Sequence, residues 1–303
     1  MVVRRGARLA AHLLLLCASG SAWAGLPTFC ERSRDISALE QDRVLRFAGV
    51  VKQELDRADG KVALIARAGT DLSRFNLVYS HAGVALRDQP GSPWAVRQLY
   101  YACDEARPYI FDQGIAGFAL GADAPGKGHI ALLFLPEQDS AALERAARDK
   151  PLALALLAGQ YSANAYAYGT KYQNCNQWVA ELLASAWGSA AGRANAREHA
   201  QDWLRANDYV PGPVKVPSHF TMFAGQFVPL VHVDDHPVED LHALSLQVSV
   251  PASIEAFVQR RAPETQRVEI CHDERRIVVR RGWKPLGASC EPGPGDEVIS
   301  LAP

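Results

Sequence analysis

The chain has 303 residues and a formal net charge of -1, with 21% charged and 48% hydrophobic residues. This composition is that of an ordinary globular protein, and the lack of a basic surplus argues against nucleic acid as a partner. The length is sufficient for one large core with a small appendage, or for two modest domains.

Residues 1–24 are typical of a secretory signal peptide. Arginines precede an apolar run over 9–18, and Ala22-Trp23-Ala24 supplies a small-x-small cleavage site. The run is shorter than the roughly 20 residues that span a bilayer. A lipoprotein signal at Cys17 is disfavoured because the preceding Leu16 is not small. We expect cleavage after Ala24, export to the periplasm and no transmembrane segment in the mature chain.

The cysteines fit an exported protein. Of six cysteines, removal of the signal peptide would leave five, an odd number in an oxidising compartment. Cys271 and Cys290 flank a predicted hairpin and are expected to pair, and Cys30 with Cys103 is a reasonable second pair. Cys175 would then be a free thiol, which is either buried and inert or kept for its reactivity.

The first half of the chain begins with a helix and continues with strands. Ser37-Ala38-Leu39-Glu40 is a capping box and predicts a helix that ends at Arg57. Apolar runs predict strands over 62–66, 77–86, 94–102 and 130–135. The turn Pro90-Gly91-Ser92-Pro93 predicts an antiparallel hairpin between the second and third of these strands.

The second half alternates between helices and strands. Helices are predicted over 140–149, 152–158, 175–187, 196–205 and 253–261, and the third of these has apolar residues at spacings of three and four. Strands are predicted over 227–233, 244–250, 268–271 and 277–281. The whole pattern predicts an α+β fold, in which an antiparallel sheet has helices packed on one side.

Two segments carry candidate chemistry. His81 lies inside a predicted strand, and Gly83 nearby allows close backbone approach. Cys175 begins a predicted helix, where free N–H groups and the helix dipole are expected to lower the pKa of the thiol. A facing imidazole could act as base and then as acid, while N–H groups around Cys175 could bind an oxyanion.

These two segments resemble the signatures of a known enzyme superfamily. Ser80-His81-Ala82-Gly83-Val84 and Asn174-Cys175-Asn176-Gln177-Trp178-Val179 are similar to those of the NlpC-type papain-like cysteine hydrolases. Histidine before cysteine is the order of the circularly permuted branch, which includes lecithin retinol acyltransferase-like enzymes and bacterial envelope families. Gly69-Thr70-Asp71-Leu72 resembles the turn before the histidine strand, with one residue inserted. The resemblance, over about 63–187, implies Cys175 as nucleophile and His81 as general base.

The third catalytic residue is less well defined. The resemblance implies a polar side chain on the strand after the histidine, and Gln98 is the first choice, with Asp104 and Glu105 as competitors. A glutamine would orient the imidazole but stabilise imidazolium less than a carboxylate would. Supporting or substrate-binding roles are expected for Asp71, Asp104, Asn174 and Gln177.

A second site competes with this one. His232, Asp234 and His236 have the ligand types for a divalent metal and would share one side of a strand. Pro237, however, suggests that the strand ends there, and acidic-histidine turns are common on surfaces. We therefore expect no metal at this position, and no motif for an organic cofactor is present.

The sequence thus predicts an exported cysteine hydrolase or acyltransferase that cleaves an amide or ester bond. Peptidoglycan peptides fit the compartment, and lipid-like acyl substrates fit the permuted branch. The alternative is a non-catalytic envelope protein that kept the fold for binding or as a scaffold. A papain-like domain is expected over 25–210, followed by a strand-rich extension over 211–303.

Overall fold

The computed structural model describes residues 36–58, 60–121, 126–188 and 194–302. The predicted signal peptide and Cys30 lie outside these residues. The described chain is a mixed α+β protein, as predicted. In chain order its elements are α1 (Ala38–Arg57), β1 (Val62–Arg67), a short 3-10 helix (Ser73–Phe75), β2 (His81–Leu86), β3 (Ala95–Ala102), β4 (Arg107–Gly114), α2 (Ile115–Leu120), β5 (Gly128–Phe134), α3 (Glu137–Arg148), α4 (Lys150–Ala155), α5 (Cys175–Trp187), α6 (Ala196–Ala206), β6 (Gly212–Lys215), α7 (His219–Gly225), α8 (Val238–His242), β7 (Ser245–Val248), α9 (Pro251–Arg261), β8 (Gln266–His272), β9 (Arg276–Arg281) and β10 (Glu297–Ser300).

Eight strands of the described chain form one sheet, in the order β10-β9-β8-β5-β1-β2-β3-β4. Every neighbouring pair in it is antiparallel. Strands β8 to β10, which follow residue 211, extend this sheet beyond β5. The strands β6 and β7 pair separately as a two-stranded ribbon, which contributes to the cavity described below.

Helices cover both faces of the sheet, whereas the sequence predicted them on one. Alternate residues of β1 separate into two apolar clusters: Leu64 packs in the cluster that contains α5, and Ile65 packs in the cluster that contains α1. The prediction was wrong because β1 is apolar at consecutive positions, as expected for a strand buried on both faces.

Local sequence signals fix the ends of two helices that frame the site. The Ser37 hydroxyl accepts from the Glu40 N–H at 3.3 Å, and the Glu40 carboxylate accepts from the Ser37 N–H at 2.8 Å, which confirms the capping box. At the start of α5, the Asn174 carboxamide oxygen accepts from the Gln177 N–H at 2.7 Å. This cap satisfies a backbone donor that the first turn would otherwise leave unpaired.

Several segments differ from the sequence prediction. The predicted strand over 77–86 begins only at His81, and residues 227–233 form turns and irregular chain instead of a strand. The unpredicted elements are β4, β6, β10, α2, α7 and α8. Among the described helices, none combines the length and apolar character that crossing a bilayer requires.

The C-terminal hairpin contains the predicted disulfide. Cys271 and Cys290 are bonded, with their Cα atoms 5.8 Å apart, and both side chains are buried with Val278 and Leu286. Cys103 is also disulfide-bonded, but Cys30, its predicted partner, is outside the described residues. The thiol of Cys175 is free and buried.

A buried ion pair fixes the chain that leads into α5. Glu181 is fully buried, and its carboxylate accepts two hydrogen bonds from Arg197, at 2.9 and 3.0 Å. The same guanidinium donates to the carbonyl oxygens of Gly169, Thr170 and Tyr172 at 2.6–3.1 Å. One side chain thereby holds three backbone acceptors of the loop that ends at the candidate nucleophile.

Candidate active site

Cys175 and His81 line the same cavity, which has a volume of about 1480 Å³. The thiol belongs to the first residue of α5 and the imidazole to the first residue of β2. Gln113 and Asn174 also line this cavity. The fold therefore brings together two side chains that are far apart in the chain.

The sulfur lies against the backbone on either side of His81. Cys175 Sγ is 4.0 Å from the Ser80 carbonyl oxygen, and the Ala82 N–H donates a hydrogen bond to it. Pairing of β2 with β3 begins only at Val84, so the edge of β2 is open at this point. The first turn of α5 occupies that edge, where the Asn176 amide donates to the Ser80 carbonyl at 3.1 Å.

The imidazole is held by Gln98 on the neighbouring strand. His81 Nε2 lies 2.5 Å from Gln98 Oε1, and Gln98 Nε2 donates to Gln113 Oε1 at 2.9 Å. Since a carboxamide oxygen only accepts, Nε2 of the neutral ring carries the hydrogen and Nδ1 keeps its lone pair. The ring also packs against Phe118, with centroids 5.9 Å apart. This arrangement leaves Nδ1 as the atom able to accept a proton.

Burial keeps both groups uncharged. Removal from water raises the pKa of the Cys175 thiol to about 11, although Arg67 and nearby N–H groups act in the opposite direction. Burial, with a further contribution from Arg67, lowers the pKa of His81 to about 3. The expectation that the helix N-terminus would lower the thiol pKa was wrong in its net direction, because desolvation of a thiolate outweighs the dipole here.

Arg67 is a neighbour of the site that the sequence did not reveal. It lies opposite His81 in the register of β1 and β2, and its guanidinium stands 5.3 Å from the ring centroid of Phe118. Its charge lowers the pKa of both Cys175 and His81. The sequence offered one signal for Arg67, which is an arginine directly after a predicted apolar strand. Its position near His81 follows only from the register of β1 and β2.

Tyr161 is a second such neighbour. Its side chain hydrogen-bonds to Cys175, and burial together with this contact raises the pKa of the phenol well above its usual value. Its ring packs on Tyr101 with centroids 5.3 Å apart. The phenol therefore stays protonated at neutral pH and is able to donate a hydrogen bond to Cys175 Sγ.

Asn174 and Gln177 both serve the backbone around the site. Besides capping α5, Asn174 donates through Nδ2 to the Ala163 carbonyl at 3.3 Å and to the Ser249 carbonyl at 3.2 Å. Gln177 Nε2 donates to three carbonyls of the loop over 166–169, at 3.1–3.2 Å. Asn174 lines the cavity, and Gln177 does not.

The acidic residues named from the sequence lie at the surface. Asp71 is exposed and accepts from the Ser73 N–H at 2.9 Å, which lowers its pKa. Asp104 is exposed in the turn between β3 and β4, and Glu105 pairs with Arg107 at 3.0 Å. None of the three acids lines the cavity, and Gln98 alone of the named third residues contacts His81.

The residues of the rival metal site have separate partners. Asp234 pairs with Lys171, and the His236 Nε2 lies 2.8 Å from the Asn164 carbonyl. The ring of His232 stacks on Tyr172 with centroids 4.4 Å apart. Across the described residues, no three His, Cys, Asp or Glu side chains are arranged to hold a metal ion.

Gly83 allows β3 to bring Gln98 close to His81. A Cβ at Gly83 would lie 2.7 Å from Val96 Cγ1, 3.0 Å from the Arg97 carbonyl oxygen and 3.4 Å from Gln98 Cβ. We therefore predict that Gly83→Ala lowers the free energy of unfolding by about 1–3 kcal/mol, measured by urea denaturation. Gly49→Ala, at a helical position with open space, should instead stabilise by about 0.5–1 kcal/mol. Equal effects of the two substitutions would contradict this role of Gly83.

Comparison with known proteins supplies a family. Residues 54–258 match the family described as "Uncharacterized protein conserved in bacteria (DUF2145)". No curated protein and no solved structure gives a significant match. Because the matched segment is more than half of the chain, the protein belongs to this bacterial family. The segment includes both His81 and Cys175 and runs past residue 211.

Proposed function

We propose that the protein is a cysteine hydrolase or acyltransferase in which Cys175 attacks an amide or ester carbonyl and His81 transfers the proton. The observation that carries this proposal is the free thiol at the N-terminus of α5, in contact with the backbone on both sides of His81. The Gln98 contact that leaves His81 Nδ1 as an acceptor supports it. So does the permuted order of the two NlpC-like motifs.

The reaction is a two-step acyl transfer. As Cys175 Sγ forms a bond to the carbonyl carbon, its proton passes to His81 Nδ1. The tetrahedral intermediate collapses, the bond to the leaving nitrogen or oxygen breaks, and the leaving group takes the proton from His81. Water or another acceptor then attacks the thioester, loses a proton to His81 and regenerates the thiol. The Tyr161 hydroxyl is close enough to the sulfur to donate to the developing oxyanion.

Because the Cys175 thiol and the His81 imidazole are both uncharged, the proton has to pass from sulfur to imidazole during attack on the carbonyl. Because the thiol pKa is about 11 and the imidazole pKa about 3, a resting thiolate-imidazolium pair is unfavourable in the empty site. A substrate carbonyl would accept the Tyr161 hydrogen bond as the charge moves from sulfur to oxygen. We therefore expect His81 to act as a general base during attack on the carbonyl.

We also propose that the protein works outside the cytoplasm. The signal-like segment over 1–24 motivates this, and the Cys271–Cys290 disulfide supports an oxidising compartment. Alkaline phosphatase fusions to residues 1–30 and 25–60 provide a test in a bacterial host. Export by the first and not by the second would agree with cleavage after Ala24, and activity of neither would contradict it.

The test of the catalytic proposal is an activity screen on muropeptides, phospholipids and soluble p-nitrophenyl esters. Cys175→Ala should abolish product formation, and mass spectrometry of wild-type protein stopped early should show an acyl adduct on Cys175. Turnover by Cys175→Ala at the wild-type rate would exclude the mechanism. Ser185→Ala, on the same helix and outside the cavity, is the matched control.

The raised thiol pKa also favours a second candidate function, a binding protein that kept the fold without catalysis. Iodoacetamide labelling across a pH series separates the two. Labelling that accelerates when a substrate analogue is bound supports the enzyme, since the ligand would then assist ionisation. Labelling only after denaturation, in protein without turnover on any substrate class, supports the binding protein.

Arg67 is predicted to set the pH range of the site. Its charge favours thiolate and disfavours imidazolium, so Arg67→Gln should raise the pKa of both Cys175 and His81. The acid limb of kcat/KM, expected near pH 3–4 in the wild type, should move toward the ordinary histidine value of about 6.5. Alkylation of Cys175 at pH 8 should slow at least about tenfold. Unchanged pH limits in a folded Arg67→Gln protein would contradict this role. The control is Arg145→Gln, at an exposed position on α3 that does not line the cavity.

A further inference from the structure

The cavity extends from the thiol into an apolar channel built by the C-terminal part of the chain. Side chains of β6, α7, β7 and the residues just after β7 line this channel. Among these side chains, Met222, Leu246 and Val248 belong to a separate apolar cluster. Each of the three is at most 9% exposed. The cavity that these side chains line is the one that Cys175 lines. A hydrocarbon chain would bury its surface here, whereas a charged stem peptide would lose its hydration.

The charged residues that line the cavity are all cationic. They are Arg67, Arg74, Lys127 and Lys215, and no aspartate or glutamate lines the cavity among the described residues. Of these four, Arg74, Lys127 and Lys215 are exposed at the protein surface. Asp71 is near enough to Arg74 to feel its charge but lies outside the lining. This combination of aliphatic wall and cationic side chains complements an amphiphile with a negative headgroup.

Helix α7 and the turn that follows it carry exposed aromatic rings. Phe220, Phe223 and Phe227 are 78%, 58% and 72% exposed, and the rings of Phe223 and Phe227 contact each other with centroids 5.3 Å apart. On the opposite side of the same helix, Met222 is buried and lines the channel. The helix and the turn after it thus lie between an exposed aromatic patch and the apolar interior. Exposed phenylalanine side chains insert at the boundary between headgroups and acyl chains of a membrane.

We propose that α7 and the turn after it dock on an anionic membrane through Phe220, Phe223 and Phe227, and that the channel takes one acyl chain of a lipid with an anionic headgroup. This proposal rests on the proposed function, because it names the substrate class of the same site. The acyl chain lies along the aliphatic wall, the headgroup contacts the exposed cations, and the ester carbonyl reaches Cys175. Met222 and Ala224 of α7 line the channel, and the exposed Phe220 and Phe223 lie on the same short helix, which makes a lipid surface a better occupant than a second copy of the chain.

Vesicle binding by the Cys175→Ala protein tests the docking surface without turnover. We expect binding to dioleoyl phosphatidylglycerol vesicles at least about tenfold tighter than to dioleoyl phosphatidylcholine vesicles, because basic residues near an anionic surface are attracted to it. Simultaneous Phe220→Ser, Phe223→Ser and Phe227→Ser should weaken binding at least about tenfold. The control replaces three exposed apolar residues elsewhere, Leu45, Leu154 and Val298, by serine and should bind as Cys175→Ala does. Equal affinity for both vesicle types, or an equal loss in the control, would overturn the docking surface.

Two further outcomes bear on the alternatives. If the phenylalanine variant changes a dimer into a monomer in light scattering and still binds vesicles, the patch is a contact between copies and the proposal is wrong. Ala224→Trp adds an indole at the exposed wall of the cavity, and should reduce release of oleate from phosphatidylglycerol at least about tenfold while vesicle binding is retained. Unchanged oleate release in this variant would overturn the acyl channel.

The failure of this proposal can be distinguished from failure of the catalytic one. Turnover of soluble p-nitrophenyl butyrate by the wild type and not by Cys175→Ala, without binding to anionic vesicles, would leave the cysteine hydrolase standing and overturn the lipid substrate. Anionic vesicle binding that depends on the three phenylalanines, without turnover of any ester or amide, would support the membrane surface and remove the catalytic function.

Discussion

Replacement of His81 by glutamine is expected to lower kcat/KM by about 10²–10⁴-fold, the usual contribution of a positioned general base. The thiol of Cys175 has a pKa of about 11, so very little thiolate exists at neutral pH without help. The residual rate of His81→Gln should therefore rise steeply with pH, as hydroxide takes the place of the imidazole. The wild-type rate should remain nearly flat from about pH 5 to 9, since the pKa of His81 is about 3.

The control for this experiment is Gln98→Ala, which leaves the imidazole in place and removes its hydrogen-bond acceptor. Gln98 is a positioning residue, and its loss should lower kcat more than it raises KM, with the shape of the pH profile preserved. Thermal denaturation of all three proteins would show that they are folded. A His81→Gln enzyme with wild-type kcat/KM and a flat pH profile would show that His81 is not the base.

The sequence predicts the local features of the site better than its electrostatics. Helix α5 has the predicted bounds, because its apolar spacing and the Asn174 cap are both local signals. Gln98 was the first choice as the polar partner of His81, and the structure shows the contact. Alternation along two paired strands is sufficient to put those two side chains on one face.

What the sequence missed depends on contacts between distant parts of the chain. Tyr161 meets Cys175 because the loop before α5 returns to the strand edge, and no periodicity predicts that. The thiol pKa was misjudged because the helix dipole is a property of α5 alone, whereas desolvation depends on everything that covers it. Strand β4 was missed because its charged and apolar residues do not alternate clearly. The apolar run over 227–233 was predicted as a strand, but it forms turns and irregular chain that face the cavity.

The C-terminal part of the chain is closely tied to the site. Ser249 accepts a hydrogen bond from Asn174 at 3.2 Å, so the residue after β7 holds the N-terminal cap of α5. Strand β8 pairs with β5 over seven residue pairs, which connects the disulfide hairpin to the central sheet. The family match that runs past residue 211 agrees with these contacts. The extension predicted from 211 onward therefore contributes both to the sheet and to the wall of the cavity.

Arg197→Met is expected to lower the free energy of unfolding by about 3–5 kcal/mol, the usual cost of leaving one partner of a buried ion pair uncompensated. Glu181 would keep its hydrogen bonds from Gln173 and Gln201, at 2.6 and 2.8 Å, but its charge would have no counterion. The carbonyls of Thr170 and Tyr172 would lose their donor at the same time, whereas Gly169 would keep the hydrogen bonds from Gln177 and Gln201. Urea denaturation followed by tryptophan fluorescence measures this difference.

Two comparisons separate the charge from the loop contacts. In the double variant Arg197→Met with Glu181→Met the unpaired charge is gone, so part of the lost stability should return, while the carbonyls of Thr170 and Tyr172 stay without their donor. The surface pair of Lys171 with Asp234 is the matched control from the same loop, and Lys171→Met should cost less than about 1 kcal/mol. If Arg197→Met is as mild as Lys171→Met, the buried pair does not hold the loop. A loss of kcat/KM in the double variant, at a temperature where it is fully folded, would show that the carbonyl contacts of Arg197 position Cys175, because the double variant has no unpaired buried charge to account for the loss.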